Sequence, residues 1–464
     1  MTGEWNPRPI TPRSELLPDE SGYLIVRFKT GAIRNRIADL AGAARMAGLN
    51  ELGRFLGSSR LHGMRLVTSV GPDALEYMEQ EPYPGGPGPR PRLSSYWRLD
   101  ARDSAVPLDE VMARLRLLPE VDLVYQEKTA SDPVTPDDTH ASLEGFLNPS
   151  TAGVDARWVW TQPNGDGTGT HLIDLEQGWL RGHEDLPPYS LVFGDNRDGV
   201  GGYVGNHGAA VLGVVAGTDN AKGVIGIAPG ASVRVASHWN AMAGSMHVAD
   251  ALMAAVVAEP RPHVVLLEVQ IGTSPHYPVE TDPATLEAIR CAVAHGITVV
   301  EAAGNGRANL DEFTDAEGKR RLDRDSVDFL DSGAILVGAG LSIPPHNRWF
   351  WSNHGSRVDC YAWGDSIVTA GYGDLAGVGR HSYTRLFDGT SGASAIIAGC
   401  ALLLQGLHLG SDGTPLSPAE LRQLLSSAST GTPQGRDVKG HIGVMPDLRQ
   451  IVERMRMMAS NSAA

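Results

Sequence analysis

Residues 389–404 read Gly-Thr-Ser-Gly-Ala-Ser-Ala-Ile-Ile-Ala-Gly-Cys-Ala-Leu-Leu-Leu, sixteen positions without a charge. A helix that is small or apolar on every face must be buried on every face, so the rest of the chain has to wrap it. From residue 151 onward the chain supplies the wrapping. Short apolar runs at 170–174, 233–237, 264–269, 297–303 and 334–338 read as strands, with helical segments between them. One helix is expected from Pro283 to His295, with Asp282 as its cap, Pro283 in its first turn and Gly296 closing it. Another starts at Ser417-Pro418-Ala419-Glu420, a capping box. Buried strands that alternate with helices predict an α/β fold: a doubly wound, mostly parallel sheet with helices on both faces. Such a sheet collects its chemistry at the carboxyl ends of its strands.

The chain's 464 residues allow two or three domains. Residues 1–130 carry 17 of the 39 basic and 17 of the 54 acidic residues, so the remainder holds the whole net charge of -15. A neutral leading part and an acidic main part argue for separate units. They exclude the basic face that nucleic acid needs. In the leading part, strands are expected at 23–28, 65–70, 94–100 and 121–127, with helices over 37–56 and 107–118. That β-α-β-β-α-β order predicts a small α+β ferredoxin-like domain over 1–128. Residues 129–150 are rich in Asp, Pro, Ser and Thr and read as an exposed linker. The main domain is expected over 151–464. The first residues lack the pattern of a secretory signal. No stretch is expected to reach the ~18–20 apolar residues that span a bilayer. Cys291, Cys360 and Cys400 are odd in number and apolar in setting, which fits reduced thiols. These features together predict a cytoplasmic protein with neither a membrane nor a nucleic acid as partner.

Four positions carry candidate chemistry. Ser391 falls in the first turn of the apolar helix, where unpaired N–H groups and the helix dipole favour negative charge. A serine hydroxyl there can attack a carbonyl, and the N–H groups can hold the oxyanion. Asp174 ends the strand Thr170-His171-Leu172-Ile173-Asp174. His207 opens a small-residue helix. Asn305 sits between Gly304 and Gly306 after the strand 297–303. The chain order Asp, His, Ser is one of the orders known for a catalytic triad.

The chain resembles the subtilisin-like serine peptidases over about residues 150–450. The resemblance is carried by Leu172-Ile173-Asp174, His183-Glu184-Asp185-Leu186, Asn206-His207-Gly208, Gly223-Val224-Ile225-Gly226-Ile227-Ala228-Pro229, Ala302-Ala303-Gly304-Asn305 and Gly389-Thr390-Ser391-Gly392-Ala393-Ser394. It implies a serine endopeptidase with Asp174, His207 and Ser391 as triad and Asn305 as oxyanion donor. It implies substrate strand addition along Val269, Gln270 and Ile271. Asp185, with Thr218, Asn220, Lys222 and Val224, matches the family's ligands for a structural calcium; no cofactor is needed for the chemistry. The resemblance also implies that residues 1–128 are a propeptide that inhibits the enzyme intramolecularly, with processing inside 129–150. His171 and His183 read as structural. A catalytically silent peptide-binding fold and a peptide ligase or cyclase using the same acyl-enzyme stay open. The chain departs from the family in three places. The family follows its catalytic Asp with a small hydroxyl residue and Gly, where this chain has Leu175 and Glu176. It has Thr-His after the His-Gly pair, where this chain has Ala209 and Ala210. It has Pro where this chain has Ala395.

Overall fold

Among the described residues, the apolar runs of the main part become a nine-stranded sheet. A computed structural model describes residues 20–29, 32–33, 39–68, 71–80, 92–128, 138–197, 203–435 and 440–462. The chain divides into two units, Met1–Asp132 and Pro133–Ala464.

In the smaller unit, strands β1 (Glu20–Phe28), β2 (His62–Arg65), β3 (Tyr96–Asp100) and β4 (Val121–Lys128) form an antiparallel sheet in the order β2-β3-β1-β4. Helices α1 (Leu40–Met46), α2 (Asn50–Ser58), α3 (Pro72–Gln80) and α4 (Leu108–Leu117) complete it. Alternate residues Leu24, Val26, Trp97, Leu99 and Val124 bury one sheet face with Leu40, Leu52, Leu56, Val111 and Leu115. The expected single helix 37–56 is two helices, because Gly48 turns the chain with φ +74°. The second expected strand ends at Arg65 rather than running to 70, and α3 follows it. The Pro/Gly-rich stretch from Pro82 to Pro91 lies outside the described residues.

In the larger unit the strands are β5 (His171–Glu176), β6 (Ser190–Phe193), β7 (Ser232–Ser237), β8 (Val264–Leu267), β9 (Thr298–Ala302), β10 (Ile335–Gly340), β11 (Cys360–Trp363), β12 (Gly431–Pro433) and β13 (Val444–Pro446). Their order is β12-β13-β11-β10-β9-β8-β5-β7-β6, and only β12 pairs antiparallel. The principal helices are α5 (Tyr203–Ala216), α6 (Val248–Val256), α7 (Pro283–Ala294), α8 (Gly389–Asp412), α9 (Pro418–Leu425) and α10 (Leu448–Ser462).

Side chains alternate across a strand. Leu172, Val233, Val235, Leu266 and Val300 therefore pack toward α5 and α8. Ile173, Leu175, Val265, Leu267 and Val299 pack toward α6 and α7. The same alternation assigns Asp174, Glu176 and Glu268 to the α5/α8 side. Helix α8 is the buried axis that its sequence demands: Ile396, Ile397 and Leu402 to Leu404 have no exposed surface. Each such side chain contributes about 1.5–3 kcal/mol by leaving water. Contrary to expectation, its segment Gly389–Ser411 is long and apolar enough to cross a membrane. With 83% of that window buried, it is the core helix of this sheet.

The expected exposed linker 129–150 is corrected from Asp138 onward; residues 129–137 lie outside the described set. Asp138, Ala141, Glu144, Phe146 and Leu147 are all buried. Glu144 Oε2 accepts the Ile225 N–H at 3.0 Å, and the Phe146 ring meets Trp363 edge-on at 6.3 Å. A polar composition hid three apolar anchors, Ala141, Phe146 and Leu147, spaced too irregularly for any helix or strand period.

Candidate active site

Strand β5 delivers two carboxylates to one face, Asp174 in its middle and Glu176 at its end. They lie two residues apart, about 7 Å along a strand. Helix α5 brings His207 to the strand end. There His207 Nδ1 lies 3.0 and 2.9 Å from the two carboxylate oxygens of Glu176. The expected Asp174–His207 pairing is therefore corrected: Glu176 is the histidine's partner. Asp174 is one pleat too deep, and its Oδ2 instead accepts the Trp179 indole N–H at 2.6 Å. The Gly of the family's signature falls two residues behind Glu176, at Gly178, although Gln177 stands where the family has a small hydroxyl residue. That Gly is a sequence signal which could have identified Glu176. Gly208 fits the same arrangement, since a Cβ there would stand 2.5 Å from the Trp179 ring.

His207 is largely enclosed, its ring edge-on to Phe387 at 5.6 Å. Phe387 lies four residues before Ser391, so the histidine stands beside the start of α8. Burial disfavours charge in this pocket. It holds the His207 imidazolium below its ordinary range, against the pull of Glu268, Asp174 and Asp388. It pushes the carboxyls of Asp174, Glu176 and Glu268 well up.

Ser391 occupies the first turn of α8 and is half-buried. Gly389 precedes it with φ +89°, and a Cβ there would meet Asn305 Nδ2 at 3.0 Å. Asn305 Oδ1 accepts both the Thr390 N–H and the Thr390 hydroxyl at 2.9 Å. With its oxygen spent on two donors, the Asn305 amide leaves its NH2 group as a donor beside Gly389, in the turn that leads into Ser391. Gln270 Oε1 accepts the Asn305 N–H at 2.8 Å. Of the expected substrate edge, Val269 is buried. Gln270 and Ile271 pair with Pro278 and Tyr277 in a short antiparallel ladder.

The candidate calcium residues lie near one another, and the contacts among them run from backbone N–H donors to carboxylate, amide and carbonyl oxygens. Asp185 O accepts the Thr218 N–H at 2.9 Å, and Asp185 Oδ2 accepts the Val224 N–H at 2.7 Å. Asp138 Oδ1, which sequence reasoning missed, accepts N–H groups from Asn220 and Lys222. Asn220 Oδ1 takes the Lys222 N–H as well. Much of the loop's bonding is thus spent internally. Asp185 Oδ1 is buried with no hydrogen-bond partner and is the acceptor that suits a cation. Among the described residues no three His, Cys, Asp or Glu side chains group as metal ligands. His183 is structural, bonded to the Ser382 carbonyl at 2.9 Å. His171 stacks on His263.

A profile of the subtilase family matches residues 192–444. An extracellular protease of Xanthomonas campestris pv. campestris is 27% identical over 373 residues, 70% of this chain and 58% of that protein. The chain thus spans little more than half the length of that relative. An intracellular serine protease of Paenibacillus polymyxa is 27% identical over 274 residues, 58% of this chain and 76% of that protein. Subtilisin DY of Bacillus licheniformis is 29% identical over 261 residues, 55% of this chain and 82% of that protein. A solved protease structure from Pseudoalteromonas arctica superposes with a TM-score of 0.51 at 19% identity, covering 69% of this chain and 99% of that one; that likeness speaks to fold alone.

Proposed function

Because the chain belongs to the subtilase family, whose named relatives are serine proteases, we propose that it is a serine endopeptidase whose triad is Glu176, His207 and Ser391. The observation that carries this reading is the contact of His207 Nδ1 with Glu176 at 2.9 Å. In this mechanism His207 Nε2 takes the Ser391 proton as Oγ attacks the substrate carbonyl. Glu176 accepts the Nδ1–H, holds the ring in the required tautomer and balances the imidazolium that forms. The oxyanion takes hydrogen bonds from the Ser391 N–H and Asn305 Nδ2. His207 then returns the proton to the leaving amine, and water cleaves the acyl-enzyme by the same steps. The chemistry uses side chains and backbone only. Asp185, through Oδ1, is the residue that would anchor a structural calcium. Residues 1–128 act as the intramolecular inhibitor, and Val269 to Ile271 meet the peptide substrate.

A fluorophosphonate probe should label the wild type at Ser391, with loss of labelling in Ser391→Ala and in His207→Ala. Labelling that survives Ser391→Ala would remove the nucleophile from this reading.

A further inference from the structure

Glu268 follows β8 on the α5/α8 side of the sheet and is almost fully buried. Its Oε1 lies 2.5 Å from the Ser394 Oγ. That hydroxyl also lies 2.7 Å from the Thr390 carbonyl oxygen and 3.1 Å from the Ser391 carbonyl oxygen. A serine hydroxyl carries one proton, and a backbone carbonyl has none to give. If Glu268 were a carboxylate, one proton would have to serve both the 2.5 Å and the 2.7 Å contacts, and one of them would be two oxygens pressed together. A proton on Glu268 resolves this. The acid donates to Ser394 Oγ, and Ser394 donates to Thr390 O.

The surroundings agree. Glu268 faces Asp174 and Glu176 from β5 and His207 from α5, and Asp388 at the cap of α8 also acts on His207. The base in this group can balance one carboxylate, and Glu176 holds that place by contact. Burial pushes Glu268 up, as it does Asp174. Glu268 Oε2 is buried and lacks a hydrogen-bond partner, a poor setting for a charge.

We propose that Glu268 is a positioning residue held as a neutral carboxylic acid, which ties Ser394 to the first turn of α8 and keeps a second negative charge away from His207. This rests on the triad reading above. When Glu268 ionises at high pH, its proton goes to solvent, the hydrogen bond it donated to Ser394 Oγ is lost, and a negative charge appears near His207. Both changes disturb the turn that carries Ser391.

The test is the rate of fluorophosphonate labelling from pH 4.5 to 9.5, which needs no knowledge of the substrate. The wild type should show an alkaline fall. Glu268→Gln, whose amide also donates, should lack that fall and label within about tenfold of wild type at its optimum. Glu268→Ala should label more slowly than Glu268→Gln at every pH. Ser394→Ala guards against a misfolded glutamine variant. It removes the acceptor that favours the neutral acid, so the alkaline fall should move to lower pH. A carboxylate accepting from Ser394 would move it the other way. The proposal is overturned by a wild type without an alkaline fall, by Glu268→Gln retaining it, or by Ser394→Ala moving it upward. Each of these is read on an enzyme that labels, so none can be confused with failure of the triad reading, in which labelling is independent of Ser391.

Discussion

At the residue scale, Asp174 and Glu176 show how little separates two candidates on one strand. Both are acidic, both are buried, and both face the same helices. Position along the strand decides between them. Glu176 stands at the end, where α5 passes, and its extra methylene carries the carboxylate to the imidazole. Glu176→Ala should therefore lower labelling and turnover by about 10⁴-fold, the scale for loss of the carboxylate in a subtilisin triad. Asp174→Asn keeps an acceptor for the Trp179 indole and should cost less than about tenfold. Initial rates on casein for both variants check this. Equal losses, or the larger loss at Asp174, would return the role to Asp174.

Among the elements, the stretch from Asp138 to Asn148 does more than connect. It lays Phe146 and Leu147 into the core and inserts Glu144 beneath the loop at Ile225. Burial pushes the Glu144 carboxyl well above its ordinary 4.5, against the attraction of Arg157. The folded protein then binds this proton more tightly than the unfolded chain does. Stability is therefore highest at low pH and falls as pH rises above about 4.5 toward the folded value. Glu144→Gln keeps an acceptor for the Ile225 N–H and has nothing to ionise. Its melting temperature should exceed that of wild type at pH 8, with the gap closing by pH 5. A lower melting temperature at pH 8 would show that Glu144 works as a paired carboxylate.

For the whole molecule, the anchoring of Asp138, Ala141, Glu144, Phe146 and Leu147 bears on processing. A bond beside Phe146 or Leu147 could be cut only by pulling those side chains out of the core, and Asp138 is held by the N–H groups of Asn220 and Lys222; if the chain is processed, we predict cleavage before Asp138. Intact mass spectrometry should find wild type shortened to an N-terminus between 129 and 138, with Ser391→Ala at full length. An active wild type that keeps its full mass would make residues 1–128 a permanent domain instead of a propeptide.

What the sequence determined by itself was whatever depends on local pattern. The all-round apolar run at 389–404 required a central helix. Apolar strands alternating with helices required a parallel sheet, and Gly-Thr-Ser, Asn-His-Gly and Ala-Ala-Gly-Asn marked Ser391, His207 and Asn305. Ser391 and Asn305 stand at the start of a helix and just after a strand, where short-range signals are strong, whereas His207, expected to open its helix, lies five residues into α5, which begins at Tyr203. Tertiary structure alone decided what depends on distance across elements. Asp174 and Glu176 share a strand face by period, and only the approach of α5 to the strand end separates them. Glu268 reads as an unplaceable charge in an apolar strand until α8 sets Ser394 against it. Phe146 and Leu147 read as linker until the core closes over them. Alternation tells which side of a sheet a residue faces, but not what will be packed there.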